Sequence, residues 1–241
     1  MENQFEIKKR DTCSITNPKD GYVTFARTKK YLDYIMGFEG DLSIYVPFDL
    51  YTVDKPSNII LIPVEDPIRA FILHHNEVNS YKYPSPNKIH ESADIHESAS
   101  IGNDGMRYIP FDDNYVSMKH MGNVVIGRNV VVNAFSAIAR ATLDSTIICQ
   151  NVKIGTHVSI GHNCFVGKNT VIVDGCIVGG SSNIGQGCFL GLNSTIRSGC
   201  KVADHTLVGC GANVVSDITE KNGVYAGNPA KRIKQWDGTL P

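Results

Sequence analysis

The chain has 241 residues, 42% of them hydrophobic, and a formal net charge of −1. This composition is ordinary for a soluble globular protein, and the near-zero charge gives no electrostatic reason to expect a nucleic-acid partner. The amino terminus has no apolar signal core, and no stretch reaches the ~18 apolar residues of a membrane helix. We therefore expect a cytoplasmic protein without a membrane partner.

The N-terminal part, residues 1–88, carries no repeat, and we expect it to form a small α/β domain. Residues 58–64 are an apolar run of strand length. A helix is predicted from Pro67 to Val78, because proline suits the first turn of a helix. Prolines that follow Tyr83 argue against further helix and predict a linker.

Two aromatic residues, Phe25 and Tyr31, lie in a basic, partly apolar segment of this domain. Aromatic faces in such a segment can stack on a nucleobase. More often two such rings fill the core of a small domain, and the residues alone favour that interpretation.

From residue 89 onward an aliphatic residue recurs at every sixth position, first at Ile89, Ile95 and Ile101. The period is interrupted by residues 103–123 and then resumes. Its unbroken part opens twelve hexads, at Ile148, Ile154, Ile160, Val166, Ile172, Val178, Ile184, Leu190, Ile196, Val202, Val208 and Val214.

A period of six fits neither the helical spacing of 3.6 nor simple strand alternation, and it predicts a mostly β fold, the parallel β-helix. Three hexads close one triangular coil, so residues eighteen apart stack along the axis. Glycine follows the aliphatic residue in seven of the twelve hexads, and we attribute these glycines to turns that need a positive φ. A sandwich of ordinary strands would instead show turn signals every 8–12 residues or so.

We assign residues 89–219 to the β-helix, with an inserted loop at 103–123, and residues 220–241 to a short C-terminal tail. Long loops in compact domains are commonly functional, and the aromatic residues of this one predict packing at the mouth of a site or on a neighbouring subunit. The ten-residue step from Ile138 to Ile148 indicates a corner shortened by two residues. The basic tail either approaches a phosphate-bearing ligand or caps the solenoid.

Four of the seven cysteines stand twelve residues apart at the fifth position of a hexad, namely Cys164, Cys176, Cys188 and Cys200. Free cysteine behaves as a small hydrophobe, so these four are predicted to fill space inside the coils. The chain has no Cys-x-x-Cys pair, the commonest zinc and redox signature. We expect all seven thiols to be reduced and structural.

His162 is the residue of the repeat region that is best suited to catalyse a reaction. It occupies the third place of its hexad, on the turn rather than inside the coil, and histidine is suited to proton transfer near neutral pH. Gly180 stands eighteen residues later, directly one coil on. A bare backbone N–H there is able to bind the oxyanion of an acyl-transfer intermediate.

A zinc site is the competing interpretation, because His120, His157 and His162 superficially resemble the three histidines of hexapeptide-repeat carbonic anhydrases. The register argues against it: His157 is fourth in its hexad and His162 third, and His120 lies in the inserted loop. We therefore expect no metal.

The segment Ile148 to Gly167, with Ile-Gly-His-Asn at 160–163, resembles the catalytic coil of the N-acyltransferases of lipid A biosynthesis, within the hexapeptide acyltransferase superfamily. The step at Ile138, the inserted loop and the N-terminal aromatic segment extend this resemblance over nearly the whole chain. It implies a left-handed β-helix, His162 as general base and Gly180 as oxyanion donor.

The resemblance also implies homotrimers with the active site between subunits, fed by a nucleotide-binding N-terminal domain. It implies that Phe25 and Tyr31 enclose a pyrimidine, which reverses the interpretation given above. This chain has Thr28 where the family has asparagine, so both thymine and uracil remain open. The residues that we assign to the substrate are Phe25, Thr28, Tyr31, Tyr108, Asp112 and Asp113.

The C-terminal region departs from the lipid A enzymes, which continue into helices that engage acyl carrier protein. Here Gly227-Asn-Pro-Ala-Lys resembles the closing motif of acetyltransferases that use coenzyme A. That likeness implies acyl-coenzyme A as the acyl donor. The residues that we assign to this donor are Gly179, Gly180, Arg197, Lys231 and Arg232.

Together these features predict an N-acyltransferase that moves acetyl or hydroxybutyryl from acyl-coenzyme A to the amine of a dTDP- or UDP-linked amino sugar, for O-antigen or another surface polysaccharide. Four alternatives remain: a lipid-A-type enzyme that uses acyl carrier protein, a sugar O-acetyltransferase, a carbonic-anhydrase-like zinc protein, and a non-catalytic scaffold.

Overall fold

The computed structural model describes residues 7–239. The chain divides into two compact units, of which the first holds the residues up to Tyr83 together with Arg107–Lys119, and the second holds Pro84–Met106 and the residues from His120 onward. The central part of the inserted loop thus belongs to the first unit, whereas the sequence assigned the whole loop to the β-helix. Within residues 7–239, no helix combines the length and the apolarity needed to cross a membrane.

The first unit is an α/β domain with a parallel sheet in the order β1-β2-β3. Its elements are, in chain order, β1 (Tyr22–Phe25), α1 (Lys29–Ile35), β2 (Leu42–Val46), a 3-10 turn (Phe48–Leu50), β3 (Ile59–Pro63) and α2 (Pro67–Val78). The side chain of Asp66 accepts hydrogen bonds from the N–H groups of Ile68 and Arg69, so it caps α2. The predicted strand at 58–64 and the predicted helix from Pro67 to Val78 are confirmed.

The remaining strands are β4 (Lys88–Ile89), β5 (Asp94–Ile95), β6 (Ser100–Asn103), β7 (Tyr108–Phe111), β8 (Asn114–Ser117), β9 (Asn123–Ile126), β10 (Val131–Val132), β11 (Ala137–Ala139), β12 (Ser145–Ile148), β13 (Lys153–Ile154), β14 (Ser159–Ile160), β15 (Phe165–Val166), β16 (Val171–Ile172), β17 (Ile177–Val178), β18 (Asn183–Ile184), β19 (Phe189–Leu190), β20 (Thr195–Ile196), β21 (Lys201–Val202), β22 (Leu207–Val208), β23 (Asn213–Val214), β24 (Gly223–Ala226) and β25 (Lys231–Gln235).

The pair β7 and β8 is an antiparallel hairpin in the first unit. The sequence predicted an irregular loop here, which was wrong for these eight residues. Arg69 of α2 fixes the hairpin: its guanidinium lies 4.2 Å from the ring centroid of Phe111, and Nη2 lies 3.6 Å from Oδ1 of Asp112. Phe111 of the insertion therefore packs on α2 of the N-terminal domain, whereas Tyr108 and Tyr115 are exposed.

The second unit is a left-handed parallel β-helix, as predicted. Its strands stack into three faces: face 1 contains β4, β9, β12, β15, β18 and β21; face 2 contains β5, β10, β13, β16, β19, β22, β24 and β25; face 3 contains β6, β11, β14, β17, β20 and β23. Residues eighteen apart pair in parallel register, for example Ile154 with Ile172. The tail adds β24 in parallel to face 2, and β25 then returns antiparallel to it.

The aliphatic first residues of the twelve hexads form the core, and each is at most 3% exposed. The four cysteines at the fifth positions are buried among them, as predicted, with at most 1% of each exposed. Burial raises the pKa of the Cys164 and Cys188 thiols to about 11, because the apolar core disfavours the thiolate.

The glycines after the aliphatic residues correct one expectation. Positive φ values occur two positions later, at the fourth place of eleven of the twelve hexads, where for example Asn163 has φ 59° and His157 has φ 57°. A Cβ on Gly161 would instead lie 2.5 Å from the backbone nitrogen of Gly180, and a Cβ on Gly179 would lie 2.5 Å from that of Ser198. These glycines are required because adjacent coils approach closely at this point, and not because of their backbone angles.

The corner after Ile138 corrects a second expectation. Ile138 on face 3 pairs with Ile160, and the next strand of the chain, which ends at Ile148, already belongs to face 1. A regular corner spans six residues from one aliphatic position to the next, so a step of ten adds four residues instead of removing two. The enlarged corner, residues 140–144, lies directly before the corner that carries His162.

Candidate active site

His162 lies at the corner between face 3 and face 1, in the turn that joins β14 to β15, and it is half-buried. Gly180 occupies the same corner one coil further along, and Ser198 follows it in the next coil. The expectation that His162 lies on a turn with Gly180 as its neighbour along the axis is confirmed.

One hydrogen-bond chain fixes the proton on the His162 ring. The backbone N–H of Thr142 donates to Oδ1 of Asn163 over 3.0 Å, which identifies that atom as the amide oxygen. The same oxygen lies 2.9 Å from Nδ1 of His162. Since an oxygen can only accept, Nδ1 carries the proton in the neutral ring, and Nε2 is left with its lone pair.

Nε2 of His162 faces Gly180. A Cβ built on Gly180 would lie 2.8 Å from Nε2 and 3.0 Å from Cδ2 of the same ring. Only glycine therefore allows the ring to lie against the backbone of the next coil. The basic nitrogen and the Gly180 peptide are direct neighbours.

The N–H at the third position of a hexad has a side-chain acceptor in some coils: Asp174 Oδ1 accepts it from Thr156 at 2.7 Å, and Asp204 Oδ1 accepts it from Gln186 at 3.1 Å. The residue that follows Gly180 in this column is Ser198. Within residues 7–239 no acceptor takes the N–H of Gly180, so this donor is available to a ligand.

A cleft of about 300 Å³ borders His162 and Gly180 along face 3. Its lining includes the apolar residues Ala137, Ala139 and Ile177, together with residues 103–106 of the insertion. The cleft therefore places a basic nitrogen and a free amide donor beside an apolar space, which is the combination that acyl transfer to a nucleophile requires.

Asn163 and His120 were not among the sequence-predicted site residues, although both contact the His162 ring. Asn163 follows His162 directly, but asparagine also suits the left-handed fourth position of any hexad, so its type carried no signal of function. His120 appeared in the sequence analysis only as part of the zinc alternative. Its ring centroid lies 5.4 Å from that of His162, in an edge-to-face arrangement.

The three histidines of the zinc alternative do not occupy one corner. His157 lies between face 2 and face 3, where its ring stacks on Phe135 with 5.1 Å between centroids. Among residues 7–239 no group of three or more histidine, cysteine or acidic side chains is arranged to hold a metal ion.

The residues assigned to the acyl donor are divided between two places. Gly179 and Gly180 line the cleft, and Arg197 is exposed at the same corner, next to Ser198. Lys231 and Arg232 lie on β25 at the end of face 2, and both are exposed. Nε of Arg232 is 3.2 Å from Oε2 of Glu220, so its charge is partly balanced.

The residues assigned to the sugar nucleotide all belong to the first unit. Phe25 ends β1 and is half-buried, with its ring 4.9 Å from that of Phe71. Thr28 precedes α1 and is exposed, and Tyr31 in α1 is 49% exposed. Phe25 is therefore partly packed against Phe71, whereas about half of Tyr31 is open to solvent.

The other three assigned substrate residues lie on the hairpin. Tyr108 on β7 is 52% exposed, and Asp112 and Asp113 form the tight turn, where Asp112 has φ 51°. Asp112 already faces Arg69 at 3.6 Å.

The class of protein is now defined: a left-handed β-helix of hexapeptide repeats with a histidine and a free glycine N–H at one corner, preceded by an α/β domain. The relatives and structural neighbours of the chain include sugar acyltransferases. It is 44% identical over 77 residues to a UDP-3-O-acylglucosamine N-acyltransferase of Porphyromonas gingivalis, which is 32% of this chain and 22% of that protein. A Cytophaga hutchinsonii protein of the same description is 47% identical over 73 residues, or 30% of this chain and 21% of the relative.

Among solved structures, the UDP-N-acetylglucosamine O-acyltransferase of Moraxella catarrhalis matches with a TM-score of 0.56 and 20% identity, over 90% of this chain and 72% of that one. The UDP-N-acetylglucosamine acyltransferase of Francisella novicida matches with a TM-score of 0.51 and 20% identity, over 62% and 68%. These similarities show the fold. The chain spans about a fifth of the length of the curated relatives it matches, and no protein-family profile matches it.

Proposed function

We propose that this protein is an N-acyltransferase that moves a short acyl group, acetyl or hydroxybutyryl, from acyl-coenzyme A to the amine of a nucleotide-linked amino sugar. The observation that carries the proposal is the pair at the corner of the β-helix: Nε2 of His162, which bears the lone pair, faces Gly180, whose N–H has no acceptor within residues 7–239. The name of the matched relatives, which describes transfer of an acyl group to the nitrogen of a UDP-linked glucosamine, supports this reaction class.

In the proposed reaction, Nε2 of His162 accepts a proton from the sugar amine as the amine nitrogen attacks the thioester carbonyl. The C–N bond forms, and the oxyanion accepts a hydrogen bond from the Gly180 N–H, an interaction commonly worth about 3–4 kcal/mol. Collapse of this intermediate breaks the C–S bond. The imidazolium returns its proton to the leaving thiolate, so the products are an amide and free coenzyme A.

We assign the sugar nucleotide to the first unit, with Phe25 and Tyr31 on either side of a thymine or uracil and Thr28 at its edge. The exposure of Tyr31 and the position of Thr28 before α1 support this assignment. Tyr108, Asp112 and Asp113 are proposed to contact the sugar or its phosphates. The product would be a building block for surface polysaccharide, formed in the cytoplasm, where acyl-coenzyme A is available.

We propose that the active protein is a homotrimer with sites between copies. Lys231 and Arg232 lie on face 2, whereas His162 lies at the corner between faces 3 and 1. If both basic residues bind the phosphates of the same donor molecule that His162 serves, a neighbouring copy has to supply them.

A second candidate is the acyl-carrier-protein-dependent acylation of UDP-3-O-acylglucosamine. The identity of 44% with N-acyltransferases described as acting on that substrate favours it. The two candidates share His162 and Gly180, and they differ in the donor and in the acceptor sugar.

The test is a thiol-release assay that crosses acetyl- and hydroxybutyryl-coenzyme A and a long-chain acyl carrier protein with UDP- and dTDP-linked amino sugars. We expect thiol release with a short acyl-coenzyme A and an amino sugar, and none with the matching sugar that carries a hydroxyl in place of the amine. Release only from acyl carrier protein with UDP-3-O-acylglucosamine would establish the second candidate. Release with the hydroxyl sugar alone would make the protein an O-acyltransferase.

A further inference from the structure

Two stems connect the insertion to the β-helix within the second unit: the incoming stem, residues 102–106, and the outgoing stem, residues 120–122, which begins with His120. It is only 3% exposed, and its ring meets that of His162 at 5.4 Å with an angle of 76° between the planes. It does not line the cleft beside His162 and Gly180. His120 thus contacts the His162 ring without itself lining the cleft.

Gly105, from the incoming stem, closes the packing around both rings. A Cβ at this position would lie 2.9 Å from Cδ2 of His162 and 3.0 Å from Nε2 of His120. Because no side chain separates them, the Gly105 backbone and the His120 ring confine the plane of the His162 imidazole.

The enlarged corner holds both stems in place. On the incoming stem, Nε of Arg140 donates to the carbonyl of Gly102 at 2.6 Å. On the outgoing stem, the N–H of Met121 donates to the carbonyl of Thr142 at 2.9 Å, and the N–H of Gly122 to that of Ala141 at 3.1 Å. His120 is therefore presented to His162 by a fixed backbone.

We propose that His120 is a positioning residue that acts through His162. The imidazole is held covalently at Cγ and by the bond from Nδ1 to Asn163, but the ring can still tilt about the line through these two atoms. The edge of His120 and the backbone of Gly105 remove this freedom, so Nε2 stays directed at Gly180. This inference rests on the proposed role of His162 as the base.

Kinetic tests compare His120→Ala, which removes the ring, with His120→Phe, which keeps a ring of similar size. We expect His120→Ala to lower kcat about 10- to 100-fold with KM unchanged, since small displacements of a catalytic group have effects of this size. His120→Phe should recover most of that loss. Equal losses in both variants would overturn a positioning role for the ring.

The double variant with His162→Ala separates positioning from general damage to the cleft. If His120 acts through His162, His120→Ala should have no further effect on the residual rate of His162→Ala. A further loss of the same factor in that background would contradict the proposal.

A measurement without substrate keeps the two proposals distinguishable. Nitrogen-15 NMR of the histidine rings reports which nitrogen of His162 carries the proton. We expect a dominant Nδ1–H form in the native protein and in His120→Phe, and a mixture of tautomers in His120→Ala. An unchanged His162 spectrum in His120→Ala would reject the positioning role, whatever the reaction proves to be.

Discussion

His162 has its second ring nitrogen beside Gly180, whose backbone N–H has no acceptor among residues 7–239. Loss of a positioned general base costs about 10²–10⁴ in rate. We therefore expect His162→Ala to lower kcat by that factor with little change in KM, measured by steady-state thiol release.

The control for this variant is His157→Asn, at another corner of the same coil. Asparagine is chosen because His157 has φ 57°, which asparagine tolerates better than alanine does. The control should keep the native kcat. Near-native turnover of His162→Ala would show that the amine needs no base from the protein.

Asn163 offers a second test at the residue scale, because its amide oxygen accepts from Nδ1 of His162. In Asn163→Asp a carboxylate replaces that oxygen and stabilises the protonated, imidazolium form of the His162 ring. The base must be neutral to act. The acid limb of the kcat/KM profile should therefore move to higher pH, with the rate on the alkaline plateau retained.

Asn151→Asp is the matched control, since Asn151 has φ 60° and bonds to Asn169, far along the coil from His162. Its pH profile should stay that of the native protein. An unshifted acid limb in Asn163→Asp would contradict the role of His162 as the base.

At the scale of single elements, the glycines at the second position of the hexads allow adjacent coils to approach closely. Gly161→Ala would place a Cβ 2.5 Å from the nitrogen of Gly180. Overpacking of this kind commonly costs about 1–3 kcal/mol, and here it would also displace the oxyanion donor. We expect lower stability in denaturant unfolding together with a lower kcat.

Gly209→Ala is the matched control for Gly161→Ala. Gly209 has the same position in its hexad, but its nearest neighbour is the Cβ of Ala226 at 3.3 Å. It should be destabilised less, and kcat should be unchanged. Equal losses of stability in the two variants would contradict the explanation that Gly161 is required because adjacent coils approach closely there.

The strands of the β-helix could be predicted nearly residue by residue, because each hexad presents its aliphatic residue to the core and one period governs all twelve. The role of the glycines could not be predicted, because a positive φ and a close approach of two backbones both favour glycine. The prediction for the corner after Ile138 was wrong, because whether a ten-residue step shortens or enlarges a corner depends on which face the next strand joins. His162 and Gly180 followed from register alone.

The contacts made by the insertion could not be predicted from the sequence pattern. No period links His120 or Gly105 to His162, and their proximity depends on stems that the corner at 140–144 holds by backbone hydrogen bonds. The hairpin was missed for a similar reason. Its strands are only four residues long, and Asp112 and Asp113 in the turn were interpreted as ligand contacts.

At the scale of the whole molecule, the separation of Lys231 from the corner of His162 leads to a test of assembly. We expect a trimer by light scattering. We also expect Lys231→Glu to raise KM for the coenzyme A donor without lowering kcat, because Lys231 is exposed and the donor phosphates are anionic. Lys234→Glu on the same strand is the matched control.

Mixed trimers of Lys231→Glu and His162→Ala can be purified through two different tags. They show whether the His162 and Lys231 of one site come from the same copy or from two copies. A site that takes His162 from the first variant and Lys231 from the second has both residues intact. Such trimers should therefore turn over at a donor concentration too low for either parent. If both residues served one site within a single copy, every copy would carry one defect and no activity would return, which would remove the reason for placing the site between copies.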